Sequence, residues 1–243
     1  MLAGCTVSFG DSGKYNASTK FHRSLPAAGV HSIRVSNVSG KIDVLGSRRA
    51  DVEVDAVIRA PDKAALQRIT VSADRTDDSV RIRTQYPTTL FSFGGRTEGR
   101  VDYEIRVPGS IAVTVSDVDG DVTVSGVDGD IGAASISGDI SASTGSGNLN
   151  LKTTSGAAAG TAHTVTASSQ LSVGSVSGDV SLRIPRHAGA NITARSVSGD
   201  FSSNLGLPKS NATVGTNVSA TLNGGGAKIS FATVSGAMTL TGF

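Results

Sequence analysis

From Asp117 to Gly160 the chain reads DVDGDVTVSGVDGDIGAASISGDISASTGSGNLNLKTTSGAAAG, and one short phrase recurs in it five times. Its glycines are Gly120, Gly129, Gly138, Gly147 and Gly156, each nine residues from the next. Two residues after each comes Val122, Ile131, Ile140, Leu149 or Ala158, and four after comes Val124, Ala133, Ala142 or Leu151. Two before the first three come Val118, Val127 and Ile136. A period of two nested in a period of nine describes a short strand, a tight turn and another short strand. A fixed short period is the mark of a solenoid or array. The chain therefore reads as all-β, a β-solenoid of stacked short strands, with those apolar positions in a common core register.

The repeat extends in both directions. Gly40 carries Val38, Ile42 and Val44 at the same offsets, and Gly178, Gly199 and Gly236 carry later copies. Degenerate copies are placed by Leu171 and Val173, by Ile192 and Ala194, and by Ile229 and Phe231. Nine-residue arms then alternate with longer ones. The simplest model is a coil of about 18–22 residues with two main strands and turns at opposite edges, a third short face being left open. Insertions at Arg186 to Gly189 and Leu207 to Ser210 should bulge from the long-arm edge.

Residues 21–115 read as a β-rich front section running into the array of 116–243, so that 21–243 form one domain. Strands are expected over 31–35, 41–45, 51–57, 69–73, 80–84, 101–107 and 111–115. Pro61 followed by apolar Ala65, Leu66 and Ile69 predicts one short helix near 61–69. Leu90, Phe91 and Phe93 mark an apolar loop tip that should fold back on its own domain. Met238 to Phe243 would end the chain on a strand with no evident cap.

Composition fits a narrow aliphatic core. Of 243 residues 30 are Gly, aromatics make up 4% and Trp is absent, which argues against packing on large rings. The single Cys rules out an internal disulfide. The net charge is +2, and no basic stripe with interleaved aromatics occurs, so no nucleic-acid partner is expected. No apolar run is long enough for a spanning helix.

The N-terminus carries a separate signal. Leu2-Ala3-Gly4-Cys5 resembles the lipobox of bacterial lipoproteins, although the basic and apolar segments expected before it are missing. The resemblance implies a lipidated Cys5. Ser8 to Lys20 is polar and Gly/Ser-rich, so residues 1–20 read as a flexible tether. Stable anchoring takes more than one acyl chain; a multiply acylated Cys5 would hold the domain at a membrane surface.

The Val-Ser-Gly-Asp turns followed by alternating apolar residues resemble the bacterial "putative adhesin" family of β-strand-repeat proteins of unknown function. The likeness covers about residues 30–243, including the strand ending in Val107-Pro108. It implies a secreted or membrane-anchored protein and supplies no catalytic residue.

Residue chemistry adds little to this. Gly at a turn reaches positive φ, and Ser or Asp can bond the free backbone of the bend. That accounts for Asp121, Asp130, Asp139, Asp179 and Asp200. A calcium ladder would need Asp117, Asp119 and Asp121 on one ion, but the Gly/Asp nonapeptide pattern is absent. His22, His31, His163 and His187 lack metal-ligand spacing, and no serine sits in a nucleophile elbow. An enzyme reading would start from Arg183, Arg186 and Arg195 sharing a groove with Asp179 and Asp200, whereas solvated turn and face positions account for the same residues. The sequence favours a non-enzymatic binding or scaffold protein of the cell envelope, without cofactor or metal. Its expected partners are the membrane through Cys5 and a glycan or envelope protein. A polymerising scaffold and an envelope-stress regulator are the alternatives. The sequence does not specify an oligomeric state.

Overall fold

The computed structural model describes residues 15–86, 99–207 and 215–243. Cys5, the Leu90–Phe93 tip and the Pro208–Ser210 insertion lie outside the described residues. In chain order the front section comprises β1 (Ala17–Pro26), β2 (Ser32–Ser36), β3 (Ile42–Ser47), β4 (Asp51–Ala60), α1 (Lys63–Arg68), β5 (Thr70–Arg75), β6 (Ser79–Gln85) and β7 (Arg100–Pro108). The array begins with β8 (Ala112–Ser116), β9 (Val122–Val127), β10 (Ile131–Ser137), β11 (Ile140–Thr144), β12 (Leu149–Ser155), β13 (Ala158–Ala162), β14 (Gln170–Ser177) and β15 (Val180–Ile184). It ends with β16 (Ala190–Ser198), β17 (Phe201–Ser203), β18 (Thr216–Leu222), β19 (Ala227–Ser235) and β20 (Met238–Gly242). Strand β1 starts at Ala17, so the last residues of the expected tether are part of the folded body.

From β8 to β17 successive strands of the array alternate between two ten-stranded sheets, and β18 and β19 lie together in one of them. Sheet A has the order β1-β4-β7-β3-β9-β11-β13-β15-β20-β17, and sheet B the order β18-β16-β19-β14-β12-β10-β8-β2-β6-β5. Each coil contributes one strand to each sheet, and equivalent residues of neighbouring coils pair in parallel. Ile131 pairs with Val113 on one side and Leu149 on the other, a step of 18 residues. From Leu149 to Leu171 the step is 22, the difference lying in the turn around Thr166 to Ser169. The coil thus has two strands and two edges.

The core fills the space between the sheets. Val122, Val124, Ile131, Ala133, Ile140, Ala142, Leu149 and Leu151 are all nearly inaccessible, as their offsets from glycine require. The residues two before the glycines behave differently. Val127 is buried, but Val118 and Ile136 are 39% and 53% exposed. At the Ser-Gly-Asp edge the inward residue lies three before the glycine, as in Asp117, Ser135 and Thr153. The inward positions on either side of the turn are then five residues apart. That odd number breaks the alternation assumed from sequence.

Helix α1 forms as expected, one turn shorter than Pro61 implied. Asp62 is its N-cap, its carboxylate accepting from the Ala65 N–H at 2.7 Å, and Ala65 and Leu66 bury against the sheets.

Coil order departs from chain order at both ends. The β2/β3 coil sits between β6/β7 and β8/β9, and the β19/β20 coil sits between β14/β15 and β16/β17. The final strand β20 is therefore an interior strand of sheet A, paired with β15 and β17. This corrects the expectation of an uncapped strand at Met238 to Phe243. The outermost pairings β1–β4, β5–β6 and β16–β18 are antiparallel, and the remaining edge, β17, has three residues. Short or reversed strands at a boundary discourage further parallel stacking.

The nine repeat glycines form two vertical columns. Gly40, Gly120, Gly138, Gly156, Gly178, Gly236 and Gly199 follow one another at the Ser-Gly-Asp edge in spatial order, and Gly129 and Gly147 stack at the other. A Cβ placed on Gly138 would penetrate the carbonyl oxygen of Gly120, and one on Gly156 that of Gly138. Gly40, Gly138, Gly156, Gly178 and Gly236 also have φ in the left-handed range, whereas Gly120, Gly129, Gly147 and Gly199 do not. The requirement common to the columns is close backbone approach, with positive φ added at part of them. We predict that Gly138→Ala costs at least about 2 kcal/mol in urea melts, since strain and overlap coincide there. Gly132→Ala, where nothing lies within 4 Å of the added carbon, should leave stability unchanged or raise it by up to about 1 kcal/mol. Equal losses in both variants would refute the close-approach account.

Candidate functional site

The Ser-Gly-Asp edge is bonded from coil to coil. The Asp139 N–H donates to Asp121 Oδ1 at 3.1 Å, the Ala157 N–H to Asp139 Oδ1 at 2.8 Å, and the Ala237 N–H to Asp179 Oδ1 at 2.8 Å. At the other edge the Asn148 N–H donates to Asp130, and Asn148 in turn accepts from the Gln170 N–H. The aspartates thus brace the turn of the adjacent coil rather than their own bend. Asn148, which breaks the acidic pattern in sequence, keeps the bond through its amide oxygen. Asp117 points into the coil while Asp121 lies on the exposed turn, so these two do not face a common point.

Beneath the glycine column runs a buried polar row: Asn37, Asp117, Ser135, Thr153, Ser175, Thr233 and Ser196. Thr153 donates to the Gly138 carbonyl at 3.1 Å and Ser175 to the Gly156 carbonyl at 3.0 Å. Asn37 ties the row to the front coils, donating to the Val101 carbonyl and accepting from Thr84, which also bonds Tyr103 Oη. Burial pushes the Tyr103 hydroxyl up to about 12. Asp117 occupies a position where its neighbours have hydroxyl or amide donors. It is 5% exposed, and neither carboxyl oxygen makes a hydrogen bond of good geometry. Burial raises its pKa to about 7; the charges of Asp119 and Asp121 add to this, while the Val118 N–H and Arg100 offset part of it.

The two outer faces differ in character. Near its front end sheet A carries a compensated ionic network. Arg106 lies 3.3 Å from Glu53 and 3.5 Å from Asp55 and also pairs with Glu104; Arg49 bonds Asp51 and Glu53; Arg59 and Arg100 share Asp102. Within it His22, Glu53 and Asp55 bring ligand atoms within 4.8 Å of one another, with His22 Nδ1 at 2.8 Å from Asp55. Sequence spacing concealed this group, because His22 and Asp55 meet as partners across the β1–β4 ladder. The same carboxylates are held by Arg49 and Arg106, so the cluster functions as part of the ion-pair network.

Sheet B has a face of another kind. Its outward residues in the middle strands are small or neutral: Gly132, Ala134, Asn150, Ser172, Gly174 and Ala232 among them. Along its Ser-Gly-Asp border Val118, Ile136, Val176, Val234 and Val197 are exposed by 39%, 53%, 48%, 47% and 63%, forming an aliphatic ridge interrupted at Thr154. A shallow depression of about 440 Å³ adjoins the ridge at Val176, and a second of about 430 Å³ lies toward the Asp130–Asn148 edge; the two share Lys152 and Ser172 in their linings. Sequence analysis assigned Val118 and Ile136 to the core and so missed this ridge. Arg183, Arg186 and Arg195 do not meet: Arg195 projects from sheet B, whereas Arg183 projects from sheet A over the Phe243 ring.

The model for the family described as Toastrack DUF4097 matches residues 16–241, and the chain belongs to that family. Among solved structures, the chain is similar to a putative cell adhesion protein from Clostridium sporogenes ATCC 15579. The two share 11% identity with a TM-score of 0.57, over 93% of this chain and 100% of that one. A putative adhesin from Bacteroides fragilis NCTC 9343 is 10% identical with a TM-score of 0.32, over 92% and 97% of the two chains. No curated protein matches the chain. At these identities the first likeness establishes a shared fold.

Asp117 generates a pH prediction. Between its ordinary value of 3.8 and about 7, the unfolded chain has lost this proton while the folded chain keeps it. The folded state binds more protons there, so stability falls as pH rises through that window. Asp117→Asn supplies a permanent donor, like Asn37 in the adjacent coil. It should flatten the fall between about pH 4 and 7 and raise stability at pH 8. Wild-type and variant melting curves that shift in parallel over this range would exclude the assignment.

Proposed function

We propose that this Toastrack-family chain is a non-enzymatic binding rod of the bacterial cell envelope, tethered through residues 1–16 with a lipidated Cys5 as its anchor. The observation that carries the reading is the one-sided outer face of sheet B. Soluble monomers seldom present an extended row of exposed aliphatic side chains, even one broken once as here at Thr154, unless it meets something. Here the row extends over coils whose opposite face, on sheet A, is lined with Thr and Ser. The rigid parallel stack holds the ridge straight and at fixed spacing, which suits contact with an extended surface component. The adhesion name of the Clostridium sporogenes structure agrees with this reading. Many of the protein's polar groups are committed to bonding between coils; among the described residues Ser143 Oγ and His163 Nε2 lie 3.1 Å apart at an exposed position off the sheet B face. Antiparallel closure of the stack speaks for a discrete binding body rather than an open polymer.

Purified full-length protein should co-sediment with isolated bacterial envelope material. The triple substitution Ile136→Ser, Val176→Ser, Val234→Ser should weaken that binding about ten-fold, the equivalent of ~1.4 kcal/mol. Being exposed, these changes should alter folding stability by no more than about 0.5 kcal/mol each. Retention of full envelope binding by a folded triple variant would remove the ridge from the binding surface. Absence of any sedimentation with the wild-type chain would remove the binding-rod reading itself.

A further inference from the structure

The basic residues of sheet B have no counterpart to the compensation seen on sheet A. Arg34, Arg81, Lys152, Arg195 and Lys228 all project outward between buried neighbours along their strands, and Arg83 projects outward between buried Ile82 and half-buried Thr84. None forms an ion pair among the described residues; the acids near them are Asp74, which lies opposite Arg81 on the edge strand but approaches Arg23 at 3.8 Å, and Asp130, which borders the depression that Lys152 also lines. A chain of nearly balanced charge has thus collected unpaired cations on one flat surface while pairing them on the other.

The ladder register puts three of these cations in one line. Arg83 pairs with Ser36, Ser36 with Ser116, Ser116 with Ala134, and Ala134 with Lys152. Lys152 then pairs with Gly174, Gly174 with Ala232, and Ala232 with Arg195. The line crosses the strands at right angles and runs along the stack. With strands about 4.8 Å apart, the cations stand about 19 Å and 14 Å from one another. Between them the floor rises no higher than serine. The parallel row of Thr114, Gly132, Asn150, Ser172, Ser230 and Thr193 offers hydroxyl and amide groups, and the aliphatic ridge forms the opposite lip.

We infer that this trough binds a linear acidic polysaccharide lying along the stack. The identification deepens the binding-rod reading and rests on it. Anionic groups of the polymer would meet Arg83, Lys152 and Arg195, its hydroxyls the Ser/Thr/Asn row, and its C–H faces the Val/Ile ridge. A ligand peptide adding as a strand is poorly served, because it would have to pair at a sheet edge rather than cross the strands. An anionic bilayer is also poorly served. Asp121, Asp139, Asp179 and Asp200 stand on the far side of the ridge, so a membrane reached by the ridge would meet a line of carboxylates. A single polymer in the trough stays on the cationic side.

The test uses the full-length chain and polygalacturonate as the probe, with neutral dextran and anionic phospholipid vesicles alongside. Polygalacturonate should bind, dextran should not, and affinity should fall as salt is raised past about 0.15 M because the contacts are exposed. The substitutions Arg83→Ser, Lys152→Ser and Arg195→Ser together should weaken binding about ten-fold or more, three exposed charge contacts being removed. Arg48→Ser, Arg68→Ser and Arg183→Ser together lower the net charge equally, but lie off this face and should change binding less than two-fold, roughly the scatter of surface charge effects. Equal losses in the two triple variants, or binding to vesicles in place of polygalacturonate, would overturn the assignment. If envelope sedimentation persists while polygalacturonate fails to bind, the ligand class is wrong and the binding rod stands. If both fail, the reading beneath it fails too.

Discussion

The fold depends on how closely two turns can be stacked. Strand pairing fixes neighbouring coils at about 4.8 Å, and at the Ser-Gly-Asp edge the backbone turns with its carbonyl directed at the next coil. A side chain at that point would occupy the place of the carbonyl beneath it, as the overlaps along the column from Gly40 to Gly199 demonstrate. Glycine is required there by the neighbouring coil as much as by its own φ. Other features follow from it. Thr153 and Ser175 of the inward row cap column carbonyls that strand bonding leaves free, and Asp121, Asp130, Asp139 and Asp179 each accept an N–H from the adjacent coil. A buried carbonyl without a donor would cost about 1–3 kcal/mol, so each of these caps contributes to stability beside the aliphatic core.

Most of the coil was legible in the sequence because one nine-residue phrase encodes both its strand and its turn. The offsets of Val122, Val124, Ile140 and Leu149 from their glycines located the core, and the alternating arms located two edges. Three features were not legible. Residues three before the glycine are polar, and the apolar residues beside them, Val118 and Ile136, looked like better core candidates. Only the parity change at the turn, a property of its backbone, sends the polar residue inward and the valine out. The coil order was equally hidden. Pairing β20 between β15 and β17 depends on which of several similar strands fits best, and local periodicity has no information on that choice. His22 meeting Glu53 and Asp55 likewise arises from the antiparallel register of β1 and β4.

The exchanges of coil order also resolve a difficulty common to stacked parallel strands. A parallel array ends in an edge able to accept another coil, and continued growth is the expected hazard. Here the chain turns back at both ends. Strands β4 and β1, and strand β5, reverse direction at the front of the two sheets, and β18 does so at the rear of sheet B. With β19 and β20 inserted beneath β16 and β17, the last residues of the chain are held on both sides by earlier ones. Phe243 then lies against His163 and beneath Arg183 on the outer face of sheet A.

Since inter-coil bonding absorbs the turn aspartates and inward hydroxyls, the outward positions are free to vary without disturbing the stack. Their use on the two sheets differs. Near the front of sheet A, acids and arginines are interspersed and paired, which gives solvation and modest local stabilisation. On sheet B most of the cations are kept separate from carboxylates: Arg34 and Arg81 are ladder neighbours, Asp74 lies opposite Arg81 but approaches Arg23, and Lys152 and Arg195 stand singly among Gly, Ala and Ser. Stability alone gives no reason for that separation, because opposite charges directly across strands would be favourable and were available to the same sequence. The aliphatic ridge beside them is likewise of no use to the core. Both features lie on one face, run in one direction and share the spacing of the coils. Together they describe a surface organised for a long, repetitive, negatively charged partner.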